Sequence, residues 1–410
     1  MSIQSRLPGF QVTFEMPLVE KARLVLEELE ELMAGALRQW GRGRKGWGKR
    51  VLFRMVVLRH AAGMASFAEV RRQLECSREL REVVGLDPQG AEMPSPAAIS
   101  RFFAFLSERE ELLTRAFKEG ARRLAETLPG LGDHLSADST MIRSYANGHG
   151  EKERRKERRG RDSEAKWGVK CGNEGKGKKY VFGYKLHLLV DSHWEAPVAF
   201  EVTPANVHDG RRLEGLLNEA EEVLPQRNGL RYLAADTAYD SEANCRMLWQ
   251  RGYIPLIPLN PGTVPQDQDL LDKQGMALCA FTHERFSYAG RDGNYTKWRC
   301  PYARQGKRML CDKQHRCSRS PYGETIKLSI SEHPRLHAPL PRGTHRFRRE
   351  FAKRTSVEHV FSRLKCSLAA DDVTVLGQKK VRTHLLLSLL CYQALTLYHY
   401  RKARKLKQAA

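Results

Sequence analysis

Long apolar runs are scarce in this chain of 410 residues. The most apolar stretch, residues 385–397, is shorter than the roughly 20 residues of a membrane-spanning helix, and it contains Ser388, Gln393 and Thr396. A buried helix fits this stretch better than a membrane span. Residues 1–17 also lack the apolar segment of a secretory signal, so we expect a cytoplasmic protein without a membrane partner.

Closely spaced cysteine pairs are missing too. The nine cysteines are an odd number, and without a secretory start no disulfide framework is expected. No pair has the Cys-x2-Cys spacing that is typical of zinc ligands. Cys279, Cys300, Cys311 and Cys317 could still supply four thiolates to a structural Zn²⁺ ion; the alternative is that they are reduced and packed as small apolar side chains.

Acidic residues are in short supply relative to basic ones. The chain has 48 Asp and Glu against 70 Lys and Arg, a formal net charge of +22. We therefore expect a polyanionic partner, with nucleic acid as the first choice. From charge alone, improved solubility or an anionic membrane surface are the alternatives. Hydrophobic residues at 41% and charged residues at 29% are ordinary for a globular protein and exclude a mainly disordered chain.

The first part of the chain has the apolar periodicity of helices. Periodic positions run through residues 19–33 and 51–64, and Ser95, between two prolines, is a cap for a further helix. Short helices of this kind either form a helix-turn-helix DNA reader or simply pack together. We expect residues 1–130 to form an all-α domain for DNA binding or oligomerisation.

The pattern then changes to strands. Strand signals cover residues 134–145, 180–190, 196–203 and 231–235, with helices at 211–223 and 241–251. The apolar run 253–259 contains two prolines and is at best an edge strand. Three strands in a meander, a helix, a strand, a helix and a last strand predict a mixed α/β fold. We expect a ribonuclease H-like sheet of five strands with flanking helices over residues 131–260.

Two segments interrupt this order. Residues 151–179 are rich in Lys, Arg and Gly, which is typical of a mobile basic loop that could track phosphates or of a solvated linker. Residues 261–346 lose regularity and predict an irregular insertion rich in Cys and Arg. There Trp298, Tyr302 and Phe286 interleave with basic residues and could hold a DNA end, or they could form a core. Helices return at 349–368 and 380–401, so residues 347–410 should complete the catalytic core.

Three acids stand where this topology could bring them together. Asp138 lies in the first strand, Asp236 directly follows the fourth, and Glu358 lies on a helix beyond the insertion. Phosphodiester transfer needs an activated oxygen, stabilised charge at phosphorus and a stabilised leaving oxygen, which two divalent ions about 3.5 to 4 Å apart can provide. Mg²⁺ prefers carboxylate ligands. A single acid at a strand end is more often structural, so the surrounding residues must decide.

The most specific pattern in the sequence surrounds Glu358. Phe351, Arg354, Glu358 and Lys365 are separated by two, three and six residues. On a helix the last three share roughly one face. The alternative, an ordinary ion pair between residues 354 and 358 on a solvated helix, leaves the full spacing to chance.

This spacing resembles the Tyr-x2-Arg-x3-Glu-x6-Lys signature of one class of DDE-type bacterial insertion-sequence transposases. Residues 137–140 around Asp138, 235–239 around Asp236, 183–187 and 205–209 resemble the same family, and the resemblance extends over nearly the whole chain. One departure is that Phe351 replaces the tyrosine, so a role that needs its hydroxyl is excluded while a stacking role survives.

The resemblance implies an enzyme that cuts DNA at the ends of a mobile element and transfers the freed strand into target DNA. It implies that Asp138, Asp236 and Glu358 bind two Mg²⁺ or Mn²⁺ ions. Further implied contacts to DNA come from Arg354, Lys365, Phe351 and Lys185. The expected partners are double-stranded DNA, as terminal inverted repeats and as target, and a second copy of the chain in the DNA complex. The expected location is the bacterial cytoplasm, in association with the nucleoid.

Two alternatives remain open at this point. One is a catalytically silent DNA-binding protein derived from a transposase, which the three intact acids disfavour. The other is a ribonuclease H-like nuclease without strand transfer, and the spacing from Arg354 to Lys365 favours transposition over it. Near the predicted site, His187 and His208 could orient a water or phosphate, although such histidines are more often simply hydrogen-bonded in place.

Overall fold

The computed structural model describes residues 16–33, 47–148, 162–170, 177–226, 229–260, 262, 270–304, 311–312 and 317–409. The strands are, in chain order, β1 His134–Arg143, β2 Lys166–Lys170, β3 Lys179–Asp191, β4 Ala196–Pro204, β5 Arg231–Ala234, β6 Tyr253–Leu256, β7 Ser287–Asp292, β8 Tyr295–Arg299 and β9 Thr325–Ser329. The α-helices are α1 Leu18–Met33, α2 Lys49–Ala61, α3 Phe67–Cys76, α4 Arg78–Val84, α5 Pro96–Glu108, α6 Glu110–Thr127, α7 Leu213–Glu221, α8 Glu242–Gln250, α9 Pro301–Arg304, α10 His345–Phe351, α11 Thr355–Ser367 and α12 Gln378–Ala409.

Among the described residues, a mixed sheet of six strands forms the centre of the fold. β1 pairs antiparallel with β3, and β3 pairs antiparallel with both β4 and β2. On its other side β1 pairs parallel with β5, which pairs parallel with β6. An antiparallel meander continued by parallel strands beyond its first strand is the ribonuclease H-like order. The predicted mixed α/β fold class is therefore confirmed.

Both faces of this sheet are apolar because helices cover both of them. On one face, Leu186 and Leu188 of β3 pack in a core that also contains residues of α1 to α6, α11 and α12. On the opposite face, Leu135 and Leu189 pack with residues of α7 and α8. Alternate residues of a strand point to opposite faces, so one strand serves both cores.

The apolar run at residues 385–397 lies within α12, which is 32 residues long. Its side chains are buried, including the polar ones of Ser388, Gln393 and Thr396. The predicted buried helix is confirmed. Throughout the described ranges, no helix combines the length and apolarity needed to cross a membrane.

Several local predictions are also confirmed. The Ser95 hydroxyl accepts a hydrogen bond from the backbone N–H of Ala98 at 3.2 Å and so caps the start of α5. β6, which contains Pro255, lies at an edge of the sheet and pairs with β5. A proline is tolerated there because an edge strand does not need every backbone N–H for the ladder.

The prediction of one mobile basic loop over residues 151–179 is wrong for part of that segment. Residues 166–170 form β2, in which Trp167 pairs with Phe182 and Val169 with Tyr180. Aromatic and β-branched residues favour a strand when a partner strand is present, despite the surrounding charge. The described sheet therefore has six strands rather than the five expected. Residues 151–161 and 171–176 lie outside the described residues.

The prediction of an irregular insertion also needs correction. Within its described part, β7, β8 and β9 form a three-stranded antiparallel sheet. Phe286 and Trp298 are buried in a small core beneath this sheet, so the packing alternative is the correct one for these two aromatics. The Tyr302 hydroxyl donates to a carboxylate oxygen of Glu284 at 2.8 Å.

The helix expected over residues 349–368 is broken into two. α10 ends at Phe351, a turn of 3₁₀ helix covers Ala352–Arg354, and α11 begins at Thr355. The backbone next to Arg354 keeps right-handed helical angles through this turn. Val357 and Val360 of α11 are then fully buried against the sheet, which fixes how α11 lies over β1.

Candidate active site

The three predicted acids come from three separate elements. Asp138 lies within β1, opposite Leu188 of β3. Asp236 lies two residues beyond the end of β5, and its carboxylate accepts a hydrogen bond from the backbone N–H of Ala238 at 2.9 Å, which caps a short 3₁₀ helix. Glu358 lies in the first turn of α11. Because β1 and β5 are neighbouring parallel strands and α11 contacts β1, the sheet directs all three acids to one region.

A single arginine joins two of these acids. Arg354 Nη1 donates to Asp138 Oδ2 at 3.0 Å, although the two residues are 216 positions apart in the chain. Its Nη2 donates to Glu358 Oε1. The Arg354 side chain is 20% exposed and that of Asp138 is 19% exposed, whereas that of Glu358 is 51% exposed. The guanidinium therefore neutralises carboxylates at a half-open surface.

The pKa of Asp138 reflects its burial and, to a smaller extent, the neighbouring negative charges. The pKa of Asp138 is raised to about 6: burial is the main cause and the carboxylates of Asp236 and Glu358 add to it, while the Ser139 N–H and the Arg354 guanidinium act in the opposite direction. Burial likewise raises the pKa of Asp236. Arg354 thus offsets only part of the cost of bringing these acids together.

A second polar group lies beside the acids. The ammonium of Lys185 donates to Asp209 Oδ1 at 2.8 Å and to the carbonyl of Val207 at 2.9 Å. Asp209 adds its negative charge to the environment that raises the pKa of Asp236. In the sequence, Asp209 stands out only as part of the family-like run 205–209. Because Asp209 and Asp236 are 27 positions apart in the chain, only the folded structure shows that their charges interact.

His187, His208 and Tyr239 lie near the acids as well. His187 Nε2 lies 2.8 Å from Thr203 Oγ1, and burial lowers the pKa of His187 to about 4. It is therefore neutral near pH 7 and hydrogen-bonded in place. His208 is near enough to Asp236 for its charge to lower the pKa of that carboxyl. Burial and the charges of the neighbouring aspartates hold the pKa of Tyr239 well above its ordinary value, so its hydroxyl stays protonated.

The residues predicted to contact DNA have contacts within the protein. Phe351 stacks on Phe347, with ring centroids 5.7 Å apart. Lys365 donates to the backbone carbonyl of Met141 at 2.8 Å, and Met141 is three residues beyond Asp138 in β1. Lys185 has an 11% exposed side chain and is paired with Asp209. Of the four, Arg354 joins two of the acids, Phe351 packs on Phe347, Lys365 is bonded to β1, and Lys185 is bonded to Asp209.

Glu195, which no sequence motif marks out, holds α11 in place through two of its side chains. Glu195 Oε1 lies 2.8 Å from His359 Nδ1, and its other oxygen accepts from Arg363. Arg363 also donates to the Tyr392 hydroxyl of α12 at 3.0 Å. Glu195 lies in the turn between β3 and β4 with a positive φ of 51°. This turn therefore helps to set the position of the helix that carries Glu358.

Among the described residues, Cys279, Cys300, Cys311 and Cys317 do not form a group that could hold a Zn²⁺ ion. In the part of the chain that the structure describes, no three His, Cys, Asp or Glu side chains lie close enough to hold one metal ion. Cys279 and Cys300 are buried in the small core with Trp298. Around Asp138 and Glu358, the guanidinium of Arg354 joins the two carboxylates.

Comparison with known families decides the relationship. Residues 129–394, which are more than half of the chain and include all three acids, match the family described as Transposase DDE domain. This chain belongs to the DDE transposase family. Residues 11–104 match a second family, described as Transposase domain (DUF772). The helical N-terminal part of this family member is thus also of a kind found in transposases.

Other comparisons add little to this assignment. Among solved structures, the DDE-family chain is similar to one described as a cryo-EM structure of the piggyBac transposase synaptic complex with hairpin DNA. The sequences are 10% identical, the match covers 97% of this chain and 75% of the other, and the TM-score is 0.43. A search of curated protein sequences gives no match.

Proposed function

We propose that this family member is an active transposase that cuts DNA at the ends of a mobile element and joins the freed strand to target DNA. The observation that carries the proposal is the bridge from Arg354 to Asp138 and Glu358. Through this bridge, the motif residues Arg354 and Glu358 are linked to Asp138, an acid 216 positions earlier in the chain than Arg354. An ordinary ion pair on a solvated helix would not include Asp138.

The donor chemistry of these residues fits the divalent ions that the DDE family implies, although the described side chains are not gathered around one point and Arg354 would have to release Asp138 and Glu358. The donors are carboxylate oxygens, which Mg²⁺ and Mn²⁺ prefer. Burial and mutual repulsion raise the pKa of Asp138 to about 6, so added positive charge would be favourable there. We propose that Asp138, Asp236 and Glu358 hold two such ions. When bound, the ions would lower the pKa of a water and stabilise the attacking and leaving oxygens.

The chain's own groups have distinct tasks in this proposal. Ser139 N–H holds one oxygen of Asp138 at 2.7 Å and leaves the other directed to Arg354. Arg354, whose guanidinium carbon lies 6.0 Å from the ring centroid of Phe351, and Lys365 would contact the phosphate backbone, because a guanidinium can bind two phosphate oxygens at once. Lys185 would act indirectly, by holding Asp209 beside Asp236.

The proposed partner is double-stranded DNA, as terminal inverted repeats and as target. The excess of 70 Lys and Arg over 48 Asp and Glu supports a polyanionic partner. We further propose that residues 1–130 contribute to DNA binding or oligomerisation, and that two copies of the chain act together because two DNA ends must be held.

The test is strand cleavage on duplexes that carry the inverted repeats flanking this gene, with Mg²⁺ or Mn²⁺, for wild type and Glu358→Gln. We expect the variant to bind the duplex but to cut at least about 100-fold more slowly, because even the outer-shell partners of metal ligands contribute 10- to 100-fold. Glu126→Gln, at an exposed position of α6, is the matched control and should cut like wild type.

Three other results would change the conclusion. If wild type and variant bind equally and neither cuts with any divalent ion, the protein is a silent DNA-binding descendant. If wild type cuts but never joins the product to a target plasmid, it is a nuclease of the same fold. If Glu358→Gln cuts at the wild-type rate, the assignment of Glu358 is wrong.

A further inference from the structure

A two-stranded ribbon extends the central sheet beyond the end of β1. β1 ends at Arg143, which pairs with Gly183, whereas β2 pairs with residues 179–183 of β3. Within the described strands, residues 179–182 of β3 have their ladder partner in β2. The ribbon therefore projects from the sheet that carries Asp138.

One face of this ribbon is aromatic and partly exposed. Trp167 pairs with Phe182 and Val169 with Tyr180, and directly opposite residues of antiparallel strands share a face. Trp167 is 37% exposed, Val169 45% and Tyr180 59%. Exposed apolar side chains that lie together on one small surface are typical of a surface that binds a partner. Tyr145, just after β1, is 65% exposed as well.

This aromatic face lies on the same side of the sheet as Asp138. Asp138 is opposite Leu188, and Phe182 is six positions before Leu188 in β3, so the two point to the same side. Phe182 packs against the core that contains residues of α11. On the other side of the ribbon, a Cβ on Gly168 would lie 2.5 Å from the carbonyl oxygen of Ala205. On the aromatic side, Gly148 packs on Phe182 and Trp167, where an added Cβ would lie 2.5 Å from Phe182 Cγ, so the exposed part of this face is formed by Val169, Tyr180 and the remaining part of Trp167.

The charge around the ribbon is basic. Arg143, Lys166, Lys178 and Lys179 are all exposed. The nearby carboxylate of Glu164 accepts a hydrogen bond from the backbone N–H of Gln378 at 2.8 Å. Aromatic side chains interleaved with lysines are typical of nucleic-acid surfaces, whereas protein-binding cores are depleted in lysine.

We propose that the aromatic face of the ribbon, with its flanking lysines, binds duplex DNA beside the cleavage point. The proposal rests on the proposed function and adds a second contact surface to it. Six strand residues span about 20 Å, which corresponds to about six base pairs of duplex. A two-stranded ribbon fits the major groove of B-DNA. The ribbon thus contacts the duplex about six base pairs from the scissile phosphate.

The experiment measures binding of a fluorescein-labelled 40-base-pair duplex, carrying the inverted repeat that flanks this gene, between 50 and 300 mM salt in Ca²⁺. The proteins are wild type, Trp167→Ala/Tyr180→Ala and Lys178→Gln/Lys179→Gln. Lys273→Gln/Lys405→Gln, which removes two exposed lysines elsewhere, is the charge-matched control. Thermal unfolding by circular dichroism establishes that each variant is folded.

We expect the aromatic pair to weaken duplex binding by about 5-fold or more with an unchanged salt slope. The lysine pair should reduce the slope by up to about 2, since each phosphate contact contributes about 0.9. On duplexes trimmed stepwise, wild-type affinity should fall once fewer than about six base pairs remain on one side of the cleavage point, and the aromatic variant should not respond.

Each contrary result has a separate meaning. If wild type binds and cuts the repeat while both ribbon variants match the control, the ribbon proposal fails and the proposed function stands. If the aromatic variant loses binding to a single-stranded 40-mer and keeps binding to the duplex, the assignment to duplex DNA is wrong. If wild type binds no DNA at all, the proposed function fails and the ribbon proposal fails with it.

Discussion

At the residue scale, Arg354 is bonded to Asp138 and Glu358, two carboxylates that we propose as ligands of a divalent ion. Its guanidinium donates to Asp138 and Glu358, and its side chain is only 20% exposed. Without a guanidinium there, the two carboxylates would face each other with less compensation. Arg354 can therefore hold both acids in place before metal and DNA arrive, and it must give up these bonds to contact a phosphate.

This arrangement predicts the effect of Arg354→Ala on metal affinity. We expect Mn²⁺ to bind roughly 5- to 10-fold more tightly in the absence of DNA, because about 1 kcal/mol of competition from the guanidinium is removed. Electron paramagnetic resonance of free Mn²⁺ measures this directly. Arg346→Ala, which removes an arginine from α10, is the control and should leave Mn²⁺ affinity unchanged. Weaker Mn²⁺ binding in Arg354→Ala would contradict the competition.

At the scale of elements, ion pairs fix the way in which helices meet. Glu30 of α1 binds two arginines of α2, with Oε2 2.6 Å from Arg50 Nη2 and Oε1 2.5 Å from Arg54 Nε. Arg54 also donates to the carbonyl of Val83 in α4 at 3.1 Å. One carboxylate thus joins α1 and α2, and through Arg54 it also reaches α4.

The pair predicts a pH dependence of stability. Burial alone would raise the pKa of Glu30, but its bonds to Arg50 and Arg54 outweigh burial and lower that pKa from an ordinary 4.5 to about 2. The folded state therefore binds this proton less readily than the unfolded state. The stabilisation is fully present above about pH 4.5 and is lost as the pH falls through about 2.

Glu30→Gln should remove that contribution. We expect a lower free energy of unfolding at pH 7 and a shallower decline between pH 4.5 and 2, measured by urea denaturation across this range. Because the comparison is a difference from wild type, other carboxylates cancel. Glu126→Gln on α6 is the control, and its acid decline should match that of wild type. Equal slopes for Glu30→Gln and wild type would show that the arginines do not act as described.

At the scale of the whole molecule, the N-terminal helices and the catalytic sheet share one core. Buried residues of α1 to α6 pack in the same cluster as Leu186 and Leu188 of β3 and as Leu385 and Leu389 of α12. The division into residues 1–130, 131–260, 261–346 and 347–410 stays a prediction. Shared packing nevertheless ties the folding of the first segment to that of the last.

Removal of residues 1–128 should therefore destabilise the rest. We expect the fragment 129–410 to aggregate or to unfold without a cooperative transition, because α12 would expose the apolar side chains that now pack on α1, α2, α5 and α6. Differential scanning calorimetry of the fragment and the full chain tests this. A cooperative transition of the fragment near the full-chain midpoint would mean that the catalytic core folds independently.

The sequence by itself determined five of the six strands of the described central sheet, most helices and the family. The apolar and β-branched runs of β3 and β4, the cap at Ser95 and the buried run of α12 depend on local composition, spacing and side-chain chemistry, which a sequence displays directly. The spacing from Phe351 to Lys365 is also read directly from the sequence. It is the reason why membership of the DDE family could be predicted before any contact was known.

Only the tertiary structure decided which side chains meet. The bond from Arg354 to Asp138, the pairing of Lys185 with Asp209 and the hold of Glu195 on α11 all join positions far apart in the chain. The strand β2 was missed for the same reason, since a short aromatic segment among lysines becomes a strand when Phe182 and Tyr180 lie beside it. Burial, which sets the raised pKa of Asp138, likewise exists only once separate elements pack together.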